Sequence, residues 1–302
     1  MVKVVIIGNS AAGFSACRAL LDSPLKFELT VVSKEAYPAY SRDRLVDYLA
    51  GTIEEKDIFL TGEDFYKSNS VTLLKGCEAV KIDTKRKSVV LKDKTKLTYD
   101  YLIIASGQKV NLPELPGKGK EGIFCLYELS EAVKIKESLL LPHTVCVAGQ
   151  PQLAARIAEA VAPRGKEVKL ISGDALLAPA GADNIEVISG VGLQEFIGEG
   201  AELQALKLTN GKVIGTTLVI LAGPYAPAAA FLKESEIAVS GGYINVNSAM
   251  RTNVENVFAC GSIAADGDTG VRQKLWQDCV NEGIMAAQSI INRETQDVAG
   301  TG

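Results

Sequence analysis

The sequence predicts an α/β protein made of two nested Rossmann-like units, each a parallel sheet with an antiparallel meander. Three observations predict it. The run Val2–Ile7 leads at once into a glycine turn and a helix start of small residues. The same order of strand, turn and helix returns at 144–155. Each copy is followed by a second buried strand, a stretch of alternating apolar and polar residues, and a closing apolar strand, at 100–107 and 218–223. One such match arises easily by chance; two with the same sequel mark an internal repeat.

Taken in order, Val2–Ile7 is a β-branched run, broken only by Lys3, of the kind buried on both faces of a parallel sheet. The turn after it reads Gly8-Asn9-Ser10-Ala11-Ala12-Gly13, a G-x-G-x-x-G pattern with serine in place of the middle glycine. Between a strand and a helix, such a turn aims free backbone N–H groups at a pyrophosphate, so Gly8, Ser10, Ala11, Ala12 and Gly13 are candidate dinucleotide-binding residues. Phe27–Ser33 is a second buried strand running into Lys34 and Glu35, and an acidic residue there can accept ribose hydroxyls. Residues 37–51 read as a loop and a short helix, and 71–97 as an antiparallel meander. The Pro- and Gly-rich stretch 108–122 reads as a linker.

The second copy departs from the first. Its turn, Gly149-Gln150-Pro151-Gln152-Leu153-Ala154, keeps one glycine, and Pro151 removes an N–H that would face a phosphate. A strand at 167–171 and a meander at 185–208 follow, with Asn210-Gly211 as a hairpin signal. Residues 275–291 read as the last helix and 293–302 as a polar, frayed tail.

Composition narrows the function. The net charge of −4 provides no basic footprint for nucleic acid or an anionic membrane. No apolar run reaches membrane-spanning length, and the chain opens directly on a strand, so a cytoplasmic protein is expected. The six cysteines form no C-x-x-C and no metal-ligand spacing, and are expected to be free thiols with no metal site. The only histidine, His143, falls in a loop, which leaves no histidine-based triad.

With these residues in view, the chain resembles the two-dinucleotide-binding flavoproteins of the pyridine nucleotide–disulfide oxidoreductase superfamily over nearly its whole length. The loop Tyr37-Pro38-Ala39-Tyr40-Ser41-Arg42 is similar to a loop beside the flavin in the NADH:rubredoxin and ferredoxin reductases and the nitrite reductase flavin domains. The resemblance implies an FAD-binding domain of residues 1–112 and 244–302, and an NAD(P)-binding-like domain of residues 113–243. It implies FAD on Gly8, Ser10, Ala11, Ala12, Gly13, Lys34 and Glu35, with Arg42 beside the flavin and the Val80 backbone at the adenine. Ala105, Ser106 and Gly107 stand at the domain crossover. Gly261-Ser262 stands where the family has Gly-Asp, the aspartate meeting a ribityl hydroxyl, and Trp276 stands near the flavin pyrimidine.

For NAD(P)H the resemblance implies Gly149, Pro151, Ala154 and Gly223, a depleted set. Ser172 occupies the place of an acidic residue that would select NAD, and Pro224-Tyr225 would crowd the nicotinamide side. The redox cysteines of the disulfide-reducing branches have no counterpart, and Asp43 stands where some branches carry one. The implied activity is an FAD-dependent oxidoreductase passing electrons from NAD(P)H to an iron–sulfur or rubredoxin-like acceptor. The alternatives are a flavin-binding relay subunit of a larger redox complex with a degenerate nicotinamide site, or a scaffold without redox chemistry. The chain ends where the family continues into an interface domain, which implies either an open flavin edge or another polypeptide that covers it, and a homo- or hetero-oligomer is expected. Alignment on the loop before residue 51 and on the second turn puts Asp47 and Arg156 where the family carries Lys and Glu. An Asp47–Arg156 ion pair across the domain interface, near the flavin, is therefore expected.

Overall fold

The structure, a computed structural model, describes residues 1–174, 183–266 and 274–300. Its first half holds β1 (Val2–Ile7), α1 (Ala11–Leu21), β2 (Phe27–Ser33), α2 (Leu45–Ala50), α3 (Glu63–Ser68), β3 (Thr72–Lys75), β4 (Ala79–Asp83), β5 (Ser88–Leu91), β6 (Lys96–Thr98), β7 (Tyr101–Ile104), β8 (Gln108–Val110), β9 (Ile123–Cys125) and α4 (Leu129–Ser138). Its second half holds β10 (Thr144–Gly149), α5 (Pro151–Val161), β11 (Glu167–Ser172), β12 (Ile185–Ser189), β13 (Leu193–Ile197), β14 (Ala205–Leu208), β15 (Val213–Gly215), β16 (Val219–Ala222), β17 (Tyr225–Pro227), β18 (Val239–Ser240), β19 (Tyr243–Val246), β20 (Val257–Ala259), β21 (Ala264–Asp266) and α6 (Trp276–Gly300).

The chain divides into two compact units, the first of Met1–Ser41, Phe59–Gln108 and Pro227–Gly302, the second of Arg42–Ile58 and Lys109–Ala226. The first unit is built on five parallel strands in the order β20-β7-β1-β2-β3. Ile6 pairs with Val31 on one side and Ile103 on the other, and all three side chains are fully buried. That two-sided burial is why Val4–Ile7 of β1 is unbroken and apolar, while Lys3 before it is exposed. An antiparallel sheet, β4-β5-β6, is attached. The second unit repeats the plan with β12-β11-β10-β16-β9, all parallel, and an antiparallel β13-β14-β15. In each sheet the strand order reverses beside the first strand of the unit, at β1/β7 and β10/β16, and a crevice for ligands opens outside the carboxyl ends at such a point.

Three expectations are corrected. Residues 71–75 and 185–189 do not begin the meanders: β3 and β12 extend the parallel sheets at their edges. Both edge strands are short and part-exposed and mix polar with apolar residues, as meander strands do. The tail from 293 is not a frayed coil, because α6 continues to Gly300; the Tyr101 hydroxyl donates to Glu294 at 2.6 Å and Arg293 pairs with Glu255. Residues 42–58 pack with the second unit and 227–243 with the first, unlike the boundaries read from the sequence. The buried face of α2, Leu45, Val46, Tyr48 and Leu49, is taken up by α4 and α5. Among the described residues, no helix is long and apolar enough to cross a membrane.

Candidate dinucleotide sites

In the first unit Gly8 ends β1 with φ +111°, and a Cβ added there would stand 2.1 Å from the Ala105 carbonyl oxygen at the end of β7. A Cβ on Gly13 would stand 2.0 Å from the Gly8 oxygen. The backbone thus folds back on itself as tightly as two glycines allow. Ser10 is the N-cap of α1, yet its hydroxyl makes no capping bond. The first-turn amides of α1 are left without a side-chain acceptor, which is the arrangement that receives an anion. The residues present fit a dinucleotide pyrophosphate.

Sequence reasoning passed over Asn9, between these glycines. It is 8% exposed, and its Oδ1 accepts a 2.9 Å hydrogen bond from the Tyr66 hydroxyl, which in turn accepts from the Ala39 N–H at 3.3 Å. The Ala39 amide can only donate, so the single Tyr66 proton is spent on Asn9 and fixes which way the side-chain amide faces. Burial pushes the Tyr66 hydroxyl up to about 12, so it remains a donor at ordinary pH.

The other residues expected at this site lie in the same unit, Arg42 excepted. Lys34 is exposed and Glu35 half-buried, with Glu35 Oε2 accepting the Tyr40 hydroxyl at 2.5 Å. Val80 is the extra residue where β4 slips register against β5, and a bulge of this kind leaves its backbone outside the ladder. Ser106 Oγ donates to the Ala228 oxygen at 3.1 Å and the Gly107 oxygen accepts the Ala228 N–H at 3.0 Å, so both hold the returning chain. Trp276 opens α6 and packs against the core of this unit. Ser262 lies 3.6 Å from the Cys279 sulfur. Beneath Gly261 lies a feature that no sequence signal announced, a buried ion pair of Lys274 and Glu282, 7% and 14% exposed and 2.7 Å apart.

In the second unit Gly149 ends β10 with φ +130°, and a Cβ there would meet the Ala222 oxygen at 2.5 Å. Pro151 is the first residue of α5, and Ala154 is buried. A cavity of about 270 Å³ opens at the carboxyl ends of the strands, lined by Ala148, Gly149, Ile171, Gly173, Leu221 and Gly223 among others. Ser172 is buried and accepts the Asp174 N–H at 3.2 Å. Tyr225 turns its ring onto Tyr127, centroids 4.9 Å apart, and donates to the Leu126 oxygen at 2.8 Å. Arg42 joins this stack, its guanidinium carbon 4.3 Å from the centre of the Tyr127 ring.

The expected Asp47–Arg156 ion pair does not form. Asp47 lies on α2 and Arg156 on α5; both belong to the second unit, whose two helices pack together. The Arg156 guanidinium instead donates to the Asp43 backbone oxygen at 3.5 Å. The Asp43 carboxyl is pushed up, first by partial burial, with Arg156 opposing and Asp47 reinforcing the shift. A side chain on α5 reaches the turn before α2 rather than its middle, which short alignment anchors cannot resolve.

The cysteines are free. Burial pushes the thiols of Cys17 and Cys146 up to about 12 and that of Cys125 to about 11, so none of these three is a thiolate near neutral pH. Among the described residues, no cluster of three His, Cys, Asp or Glu could hold a metal ion.

Comparison with known proteins agrees with this geometry. The chain is 30% identical over 269 residues to NADH-rubredoxin oxidoreductase of Clostridium acetobutylicum, covering 87% of this chain and 68% of that protein. It is 26% identical to rubredoxin-NAD(+) reductase of Pseudomonas putida, covering 97% and 81%. Several other relatives are longer, and the chain spans 36% to 51% of them. The crystal structure of NADH:rubredoxin oxidoreductase from Clostridium acetobutylicum superposes with a TM-score of 0.77 at 25% identity, covering 96% of this chain and 74% of that one. Residues 2–283 match the family model of the pyridine nucleotide-disulphide oxidoreductases, and the chain belongs to that family.

Proposed function

We propose that this chain is the FAD- and NAD(P)H-binding core of an oxidoreductase that passes electrons to a rubredoxin-like or iron–sulfur protein without redox-active cysteines. The observation that carries the reading is the doubled glycine closure of Gly8 and Gly13, with first-turn amides left free for an anion. The names of the rubredoxin reductases among its relatives support the acceptor class. Bound FAD would supply an exchange between two-electron and one-electron chemistry. The chain's own residues would orient it. Gly8, Ser10, Ala11, Ala12 and Gly13 would hold the pyrophosphate, Glu35 the ribose and the Val80 backbone the adenine. Ala105, Ser106, Gly107, Gly261, Ser262 and Trp276 would line the flavin side.

The second unit would take NAD(P)H in the cavity beside Gly149 and Gly223, with Pro151 and Ala154 making its pyrophosphate seat poorer than the first. Six free cysteines suit a reducing cytoplasm. Two measurements test the proposal. Heat release of the chromophore should yield FAD by mass; FMN, or no flavin after saturating supply, would refute it. Anaerobic NADH titration should bleach the flavin. A flavin that binds and is not reduced by either nicotinamide would instead make the chain a relay subunit.

A further inference from the structure

The Lys274–Glu282 pair is buried, and both of its members grip one residue. Glu282 Oε2 accepts the Gly261 N–H at 2.7 Å. Lys274 Nζ donates to the Gly261 oxygen at 3.1 Å, to the Ala264 oxygen at 2.8 Å and to Glu282 at 2.7 Å. All three ammonium protons are thus used, and both backbone polar groups of Gly261 are held by opposite ends of the same ion pair. A buried ion pair is a poor source of stability, because apolar side chains of similar volume fill such a space as well or better. What it can do that apolar packing cannot is address individual backbone atoms.

Those atoms belong to the turn that lies against the first dinucleotide turn. A Cβ on Gly261 would stand 2.9 Å from the Ala12 Cβ, and a Cβ on Gly283, next to Glu282, would stand 2.1 Å from the Ala12 oxygen. Gly261 and α6 are therefore fitted to the first turn of α1 without slack. We infer that Lys274 and Glu282 are positioning residues that latch the Gly261-Ser262 turn against the start of α1, so that the two turns present one preformed surface to the dinucleotide. This inference rests on the FAD site proposed above. The pair is not catalytic; it acts through Gly261.

The test compares FAD affinity with folding. The double variant Lys274→Met with Glu282→Gln removes both charges and the grip on the two carbonyls, while Gln can still accept the Gly261 N–H. FAD-free protein is titrated with FAD by flavin fluorescence, and its thermal midpoint is recorded without flavin. The latch predicts a midpoint close to the wild type, FAD bound at least tenfold more weakly, and altered visible circular dichroism of the bound flavin. The exchanged pair, Lys274→Glu with Glu282→Lys, keeps an ion pair but turns a carboxylate toward two carbonyls and should also loosen FAD; a merely space-filling pair would tolerate the exchange. A folded double variant that binds FAD within twofold of the wild type would overturn the inference. Wild-type protein that takes up no FAD would instead bring down the site reading, and the latch with it.

Discussion

Gly8 and Gly149 stand at the same point of two sheets of the same order. Each ends the first strand of its unit with φ above +100°, and each faces a carbonyl of the neighbouring strand that a Cβ would strike, at 2.1 and 2.5 Å. Five residues on, the turns part. Gly13 closes on the Gly8 oxygen at a distance no Cβ can share, whereas Ala154 keeps its methyl and still bonds its N–H to the Gln150 oxygen at 2.8 Å. Ser10 becomes Pro151. Asn9 is buried under Tyr66, whereas Gln150 is only half-buried. The difference separates two demands usually written as one motif. The first glycine is required by the fold, because strand and turn meet there with or without a ligand. The second is not needed by the plan of the sheet, since the second unit has lost it and keeps its sheet; in the first unit it is needed by the close approach to the Gly8 oxygen.

That distinction breaks first at Gly13. Gly13→Ala forces the first turn apart, because its Cβ would meet the Gly8 oxygen, and should weaken FAD binding by ~100-fold or more, about 2.7 kcal/mol, in a fluorescence titration of flavin-free protein. Wild-type affinity in the variant would mean that the doubled glycine serves packing alone.

The next largest effect concerns the support under the first turn. Tyr66→Phe leaves the Ala39 N–H and Asn9 Oδ1 without their partner and should cost about 1–3 kcal/mol in urea unfolding. The sign of its pH dependence follows from its pKa. The hydroxyl ionises at about 12 in the folded protein, above its ordinary value of 10.0, so the folded state holds the proton longer. The contribution of the hydroxyl to stability is therefore flat below pH 10.0 and falls as pH rises toward about 12. Equal stability of wild type and variant at neutral pH would show the network to be idle.

Pro151→Ser sharpens the comparison from the other side by returning an N–H to the second turn. Anaerobic stopped-flow at low NADH should show flavin reduction faster by about 3–10-fold, one hydrogen bond's worth; an unchanged rate would locate the limit elsewhere.

The smallest effect belongs to Asp43, which meets Arg156 where α1 of the first unit carries Ser15 at the matching position. Its carboxyl titrates above the ordinary value, so between the two values the folded state binds more protons, and stability falls as pH rises through that window. Asp43→Asn should therefore stabilise slightly at neutral pH, by under ~0.5 kcal/mol after solvent screening, and flatten the profile just above the ordinary carboxylate value. Loss of stability at pH 7 would mean that the contact with Arg156 outweighs the cost of burial.

Much of the fold was legible because its signals are local. A strand segment buried on both faces must be apolar, and Val4–Ile7 of β1 and the whole of β7 and β16 are. A turn that forces φ above +100° asks for glycine, and Gly8 and Gly149 answer. The misread segments carry weaker signals. Edge strands β3 and β12 look like meander strands because each is half-exposed. The apolar face of α2 shows that it is buried but not in which unit. Nothing in the sequence singles out Lys274 and Glu282, since composition alone gives no reason to bury a lysine.

The sequence by itself determined the repeat, the two turns and their unequal glycine content, and the absence of C-x-x-C pairs, because each is read from short runs of residues and their order along the chain. Only the tertiary structure decided that Arg156 meets Asp43 rather than Asp47, that Arg42 stacks on Tyr127, and that an ion pair beneath Gly261 grips both of its backbone polar groups. Those choices depend on separations of a few ångströms between elements distant in the chain, set by how whole helices and sheets pack; residue types and spacing do not specify them.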